Sequence, residues 1–350
     1  MNHEKYMRRC ISLAMQAFGN TYPNPMVGCV IVRSGEIIGV GFHARAGEAH
    51  AEVNAINSVE NKELLKESTL YVNLEPCSHY GKTPPCADLI INCGIPRVVV
   101  GCVDTFSEVA GRGIAKLRAH GVEVTVGILE QECRELNKRF FTFHEKHRPY
   151  IILKWAQSAD GYIDKLPADK VSARGVNITN EECRKLVHRW RSEEQAILVG
   201  TNTARCDNPE LTARVAHGKN PLRLAIDLNN SLPETLHVKN GETPTVIYSL
   251  TPPQSRHNVE YVRIEHRETL WQEICADLYT RGIQSLIIEG GAQILQDCIQ
   301  QNVWDEMRVF TTGDTFGSGV AAPIITCKAL YRETVGNAEL RQYGNYQCAN

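Results

Sequence analysis

The chain has 350 residues, 43% of them hydrophobic and 22% charged, and its 38 Lys and Arg against 40 Asp and Glu leave a net charge of −2. That length exceeds what one hydrophobic core ordinarily fills, so two domains are expected. The near balance of charge excludes a general basic field for nucleic acid and a polybasic membrane anchor, leaving a small molecule as the expected partner.

The opening "MNHEKYMRRCISLAMQAFGN" alternates charged and apolar residues at helical spacing, without the apolar core of about 7 to 15 residues that a signal peptide carries. No stretch reaches transmembrane length, so no membrane partner is expected. Thirteen cysteines, scattered at positions such as Cys29, Cys93, Cys102 and Cys298 that read as core or helix, do not resemble a short disulfide framework. A cytoplasmic address with reduced thiols is expected.

In chain order, "HEKYMRRCISLAMQAF" predicts an amphipathic helix with apolar Tyr6, Cys10, Leu13, Ala14 and Ala17, stopped by Gly19 and Asn20. "MVGCVIV" reads as a buried strand, and "EIIGVGF", after a Ser34-Gly35 turn, as its hairpin partner. "AHAEVNAINSV" returns to helical spacing, "STLYVNLEP" is a strand, "CADLIINCG" a helix closed by Gly94, and "RVVVGCVD" another strand. This is a three-layer α/β pattern with mixed strand directions. The polar "HEKHRP" then meets the apolar strand "YIILKWA", which divides the chain into residues 1–147 and 148–350. The second half interleaves strands "AILVG", "LRLAID", "TVIYSL", "SLIIEGG" and "EMRVFTT" with helices "NEECRKLVHRWRSEEQ" and "ETLWQEICADLYTRG". It reads as a second α/β unit, with residues 229–260 as surface connections around one short strand.

"AHAE" places His50 and Glu52 at a helix start, two residues apart, so that one can bind a metal while the other reaches past it. Cys86 falls at another helix start after Pro84 and Pro85, where the helix dipole favours a thiolate, and Cys77 leaves the strand "LYVNLE". One nitrogen and two sulfur ligands leave the fourth zinc position for water, the pattern of a catalytic site. Bound zinc lowers the pKa of water from about 15.7 to about 7, and Glu52 is placed to carry the proton. H-x-E followed by P-C and a second cysteine is the pattern of zinc nucleobase deaminases. Separately, the same residues read as core cysteines, a helix cap and a surface charge; their joint occurrence points to zinc. The spacing departs from C-x-x-C, since eight residues separate Cys77 from Cys86.

"HAEVNA", "EPCSHYGKTPPC" and "YPNPMVGCVIV" together resemble the deaminase domain of the bifunctional pyrimidine deaminase/reductase family of riboflavin biosynthesis, whose second metal cysteine lies beyond an inserted loop. The resemblance covers the whole chain. It implies a cytidine-deaminase-like domain followed by a dihydrofolate-reductase-like α/β domain, acting on a phosphorylated pyrimidine, 2,5-diamino-6-(phosphoribosylamino)pyrimidinone, with zinc and NADPH. By this similarity Lys82 and His43 meet the substrate's phosphate and ribose, and Asn24 reads the pyrimidine edge. Without the resemblance, Lys82 is a solvated loop charge and Asn24 a turn residue.

"YIILKWAQSADGYI" and "LVHRWRSEEQAILVGTNTARCDNPELTAR" resemble the reductase of the same family. Ala156, Thr203 and Asp207 match cofactor contacts, and Arg191, Leu211, Arg214 and Glu289 match substrate contacts. In "SLIIEGGAQILQDCI" a double glycine opens a helix, which suits a pyrophosphate at Gly291 and Ala292, although a tight strand-to-helix turn explains it as well. Where many relatives have Ser-x-Trp-Ile-Thr this chain reads "GVNIT", with Gly175 and Asn177 replacing the serine and the tryptophan. The resemblance also implies a homo-oligomer paired through the reductase domain. Two alternatives stay open at this point: a deaminase whose reductase domain is weak or inactive, and a zinc deaminase of nucleic acid.

Overall fold

The computed structural model of the protein describes residues 2–78, 84–105, 111–165, 176–214 and 218–347. The chain divides into two compact units, Met1–His147 and Arg148–Asn350. The first contains α1 (His3–Ala14), β1 (Gly28–Arg33), β2 (Glu36–Phe42), α2 (Ala51–Ser58), β3 (Thr69–Leu74) and α3 (Cys86–Asn92). It continues through β4 (Arg97–Cys102), α4 (Arg112–Ala119), β5 (Glu123–Val126), α5 (Glu130–Leu136) and α6 (Lys138–Lys146).

The sheet order is β2-β1-β3-β4-β5. The β1 strand runs antiparallel to β2 and β3, whereas β3, β4 and β5 are parallel. Successive strand residues point to opposite faces, and both faces are covered. Cys29, Ile31, Leu70, Val72, Val98 and Val100 pack with α2, α3 and α4 through Ala55, Ile90 and Leu117. The intervening Val30, Val32, Tyr71 and Val99 pack with α1 and α6 through Met7, Cys10, Phe140 and Phe141. These strands are mostly apolar because neither face meets water, and the buried polar Asn73 is hydrogen-bonded. Parallel strands also put the start of α3, which follows β3, at the same sheet edge as the start of α4, which follows β4.

The second unit contains β6 (Tyr150–Gln157), β7 (Tyr162–Asp164), α7 (Glu181–Glu193), β8 (Ala196–Gly200), α8 (Thr201–Asp207) and β9 (Leu222–Ile226). β10 (Thr245–Ser249), β11 (Val259–Arg263), α9 (Leu270–Thr280), β12 (Ser285–Ile288) and α10 (Ala292–Gln300) follow. β13 (Glu306–Thr312), β14 (Val320–Ala321), β15 (Tyr331–Val335) and β16 (Ala338–Gly344) close the unit. Its nine-stranded sheet has the order β11-β10-β9-β8-β12-β6-β13-β16-β15. α9 and α10 cover one face through Trp271, Ile274, Leu295 and Cys298, and α7 covers the other through Cys183, Val187 and Trp190.

The sequence pattern misses α4 to α6 and β5, as well as the hairpin of β15 and β16. α6 packs three phenylalanines among five charged or histidine side chains, and β5 has only four residues, so neither carries a clean periodic signal. Residues 229–260 hold more than surface connections: the second strand β11 begins at Val259, and Val238 is fully buried. Among the described residues eleven cysteines are free, Cys77 and Cys86 included. Cys327 is disulfide-bonded, which departs from the expectation of reduced thiols throughout.

Candidate functional site

In the first unit three element ends meet. His50 is the residue before α2, Cys77 follows the end of β3, and Cys86 opens α3 after the extended Pro85. The Nδ1 of His50 stands 3.3 Å from Cys86 Sγ and 3.6 Å from Cys77 Sγ. A tetrahedral zinc with about 2.3 Å to sulfur and about 2.0 to 2.1 Å to nitrogen separates such ligands by about 3.5 Å. The three ligand atoms all lie within 4.8 Å of one another, and no other group of three His, Cys, Asp or Glu does so among the described residues. Two soft sulfurs and an imidazole select zinc over calcium or magnesium. The donor set and its spacing therefore fit the ion.

The thiols are prepared for it. The backbone N–H of Cys86 donates to Cys77 Sγ at 3.2 Å. Hydrogen bonding from the Cys86 thiol, then from His50, holds the Cys77 thiol down at about 4, while the Cys86 thiol, sharing its proton with Cys77 and buried, is pushed up. A divalent ion between them removes that competition, since each sulfur binds it as thiolate.

Glu52, in the first turn of α2, is 3% exposed. Burial, reinforced by the neighbouring Cys77 sulfur, pushes its carboxyl up to about 7. His43 is 2% exposed, and its ring meets that of His50 edge-on at 5.4 Å between centroids. Asn24 Nδ2–H donates to His43 Nε2 at 3.1 Å, so Nδ1–H of the same ring donates to the Ala49 carbonyl at 3.1 Å. Burial lowers the His43 pKa, in keeping with this neutral tautomer. Asn24 and His43 thus come together beside His50, one of the three candidate metal ligands. Lys82 lies outside the described residues.

Two asparagines unmarked by any motif hold this wall in place. Asn73 Oδ1 accepts from Gly28 N–H at 2.7 Å and its Nδ2 donates to the Met26 carbonyl at 3.0 Å. Asn137 accepts from Met26 N–H at 2.8 Å and donates to the same carbonyl at 2.9 Å. Both are buried, and the segment they pin leads directly from Asn24.

In the second unit a cavity of about 1490 Å³ opens beside β6, β8 and β12. Such a volume accommodates a dinucleotide together with a second ligand. Ala156, Thr203, Asp207, Gly291 and Ala292 line it, and so do Arg191, Arg214 and Glu289. Leu211 does not: its side chain is 1% exposed and lies in the core beneath α7, with its backbone in the left-handed region at φ 54°. Asn177 lines the cavity, and Gly175 lies outside the described residues.

Arg191 and Glu289 are engaged with each other. Arg191 Nε donates to Glu289 Oε1 at 2.8 Å and Nη2 to Oε2 at 2.6 Å. The Glu289 side chain is 6% exposed, and Lys154 Nζ stands 3.7 Å from Oε2. Burial by itself would raise the Glu289 carboxyl; Arg191 and Lys154 outweigh it and hold it down at about 2. Burial also lowers the Lys154 pKa, against the pull of Glu289. His188 lines the same wall, and its Nδ1–H donates to the Thr212 carbonyl at 3.0 Å, which also accepts from Arg191 Nη1 at 3.3 Å. Neither Lys154 nor His188 stood out in the sequence. The one available sign was a charged residue inside the apolar strand "YIILKWA", where burial demands a partner.

Gly290 and Gly291 turn β12 into α10, and Gly291 has φ 72°. A Cβ there would lie 3.3 Å from Thr203 Oγ1. This close approach brings the starts of α8 and α10 together at one edge of the cavity.

Comparison with known proteins covers both units. The family model for the RibD C-terminal domain matches residues 149–346, and the one for the cytidine and deoxycytidylate deaminase zinc-binding region matches residues 1–102. The chain is 39% identical to the riboflavin biosynthesis protein RibD of Aquifex aeolicus over 91% of this chain and 89% of that protein. It is 36% identical to the Escherichia coli RibD, again over 91% and 89%. Among solved structures, the Thermotoga maritima diaminohydroxyphosphoribosylaminopyrimidine deaminase/5-amino-6-(5-phosphoribosylamino)uracil reductase superposes with a TM-score of 0.87 at 34% identity, over 97% of each chain. The RibD of Acinetobacter baumannii gives 0.86 at 30% identity, over 97% of this chain and 98% of that one. The α/β architecture expected from the sequence is borne out: a cytidine-deaminase-like fold comes first and a reductase fold second. Similarity that runs unbroken through both units leaves one assignment: the chain belongs to the RibD family of riboflavin biosynthesis, bifunctional enzymes in which a zinc deaminase domain precedes an NADPH-dependent reductase domain.

Proposed function

We propose that residues 1–147 deaminate 2,5-diamino-6-(5-phosphoribosylamino)pyrimidin-4-one at its 2-amino group, and that residues 148–350 then reduce the ribosyl group of the product to ribityl. The observation that carries the first step is the meeting of His50 Nδ1, Cys77 Sγ and Cys86 Sγ beside the buried Glu52. These three side chains would hold the zinc. When bound, it supplies the Lewis acidity that lets water ionise near neutral pH. Glu52, buried beside the three ligands, takes a proton from the attacking water and passes it to the departing amine. His43, fixed in one tautomer by Asn24 and Ala49, orients the substrate beside the metal. Lys82 meets its phosphate.

In the second unit Ala156, Thr203, Asp207, Gly291 and Ala292 hold NADPH, which supplies a hydride to the first carbon of the opened ribose. The N–H groups at the starts of α8 and α10 suit its pyrophosphate. Arg191, held by Glu289, and Arg214 offer guanidinium donors to the ribosyl phosphate. Leu211 does not line the cavity and its side chain is in the core, so no substrate contact is proposed for it. The same reading makes the partner a free nucleotide rather than nucleic acid, gives the chain a cytoplasmic address, and pairs it with a second copy through the reductase unit. No helix among the described residues is long and apolar enough to cross a membrane.

A coupled assay tests the proposal. Purified protein supplied with the diaminopyrimidinone nucleotide and NADPH should release ammonia and oxidise NADPH, with one zinc per chain. Ammonia released from RNA but not from the free nucleotide would overturn the substrate assignment, and ammonia without NADPH oxidation would leave a deaminase alone. Light scattering reports whether two copies associate.

A further inference from the structure

β3 leaves the sheet with polar side chains at every second position, and each serves a different task. Asn73 pins the segment after Asn24, Cys77 reaches the metal site, and Glu75 between them touches neither. Glu75 is 4% exposed. Its Oε1 accepts from the backbone N–H of Gly113 at 2.9 Å and of Ile114 at 3.2 Å, and its Oε2 accepts from Gly111 at 2.9 Å and Asp104 at 3.3 Å. Each oxygen thus takes two donors, which fills its lone pairs and leaves nothing to offer a substrate. Three of the donors belong to the start of α4, whose first N–H groups have no partner inside the helix.

The helix is held closer than side chains would allow. A Cβ at Gly113 would collide with the Pro76 carbonyl oxygen, so α4 rests directly on the backbone between Glu75 and Cys77. From the other side, the Ala87 N–H donates to the Cys77 carbonyl at 3.1 Å and the Cys86 N–H to its sulfur at 3.2 Å. Cys77 therefore sits between two helix starts. α3 grips it directly, and α4 grips it through Glu75 and Pro76.

We propose that Glu75 is a positioning residue for the metal centre: by locking α4 against Pro76 it sets how far Cys77 Sγ stands from His50 and Cys86. This rests on the reading of Cys77 as a zinc ligand. Groups behind the ligands commonly change metal affinity by about 10- to 100-fold when removed.

The test uses the full chain and the zinc ion itself. In Glu75→Gln the side chain keeps its size, but an NH2 group replaces one oxygen and faces two N–H groups that it cannot satisfy. Competition against a chromophoric chelator should show zinc bound about 10-fold or more weakly than in the wild type. Cobalt substituted for zinc should give a weaker thiolate charge-transfer band. Gly113→Ala pushes on Pro76 with Glu75 intact and should loosen zinc in the same direction. Calorimetry should still show the unfolding transition of the first unit well above the assay temperature, which certifies that this unit is folded, and reductase turnover should stay at the wild-type value. If Glu75→Gln melts at a lower temperature yet binds zinc with wild-type affinity and an unchanged cobalt spectrum, Glu75 is a helix cap only and the proposal is overturned. Wild-type protein that binds no zinc would instead remove the ligand reading beneath it.

Discussion

In the first unit a nitrogen and two sulfurs suited to one metal ion crowd within 4.8 Å of one another, whereas in the second Glu289 lies between Arg191 and Lys154 along the wall of a cavity of about 1490 Å³. The first arrangement is electrostatically open: two thiols compete for protons and need an external dication to complete them. The second is closed, its anion already paired by side chains of the same unit. An ion-dependent site responds to chelation and ligand loss, and a self-paired site responds to pH and to removal of a partner. The two units should therefore fail under different treatments, and that contrast can be attacked from the strongest expected effect downward.

Removing the proton carrier comes first. Glu52→Gln should lower the ammonia-release rate by about 10²- to 10⁴-fold while metal analysis still finds one zinc per chain. Cys86→Ala should lose both metal and deamination, and NADPH oxidation with the deaminated substrate should survive in each variant. Retention of zinc by Cys86→Ala would break the ligand assignment.

Next in size is loss of the buried carboxylate in the second unit. Glu289→Ala leaves Arg191 and Lys154 without a counter-charge and should destabilise that unit by about 3 to 5 kcal/mol, measured by denaturant unfolding. Zinc binding by the first unit should be unaltered. A change below about 1 kcal/mol would mean the cations find water or other partners.

Acid should separate the units without mutation. Glu289 is held at about 2 in the folded protein against an ordinary 4.5, so its pairing contributes stability that is fully present above about pH 4.5 and is lost as pH falls toward 2. Thermal unfolding of the wild type should drop through that window, and in Glu289→Gln the corresponding part of the drop should be missing. Parallel curves for the two proteins would refute the depressed carboxyl.

The smallest effect is local. Gly291→Ala places a Cβ 3.3 Å from Thr203 Oγ1 on a backbone with φ 72°, which costs about 1 to 2 kcal/mol. NADPH affinity, measured by fluorescence titration, should fall about 10-fold while deamination is unchanged. Equal affinity would move the pyrophosphate away from the start of α10.

The metal motif was legible because each of its residues sits at an element end that carries its own local signal. His50 precedes a periodic helix, Pro84 and Pro85 set up Cys86, and Cys77 ends an apolar strand. The groups behind it were not. Asn73 and Asn137 bond backbone atoms 45 and 111 positions away, and no spacing rule reaches that far. Lys154 and His188 sit at ordinary strand and helix positions and acquire meaning only from the cavity they face. Leu211 matched the family pattern yet its side chain turned inward, since a match in sequence does not say which way a side chain points.

Composition, periodicity and a handful of turn residues were enough for two α/β units, for most strands and for the residue types of a zinc site, because these follow from short-range chain stiffness and from burying alternate side chains. Which donor meets which acceptor was settled only by packing. Glu75 against α4, Arg191 against Glu289, and the shared Thr212 carbonyl all join segments whose approach depends on how helices seat on the sheets. Desolvation then sets the charge states, and it exists only once the chain is folded.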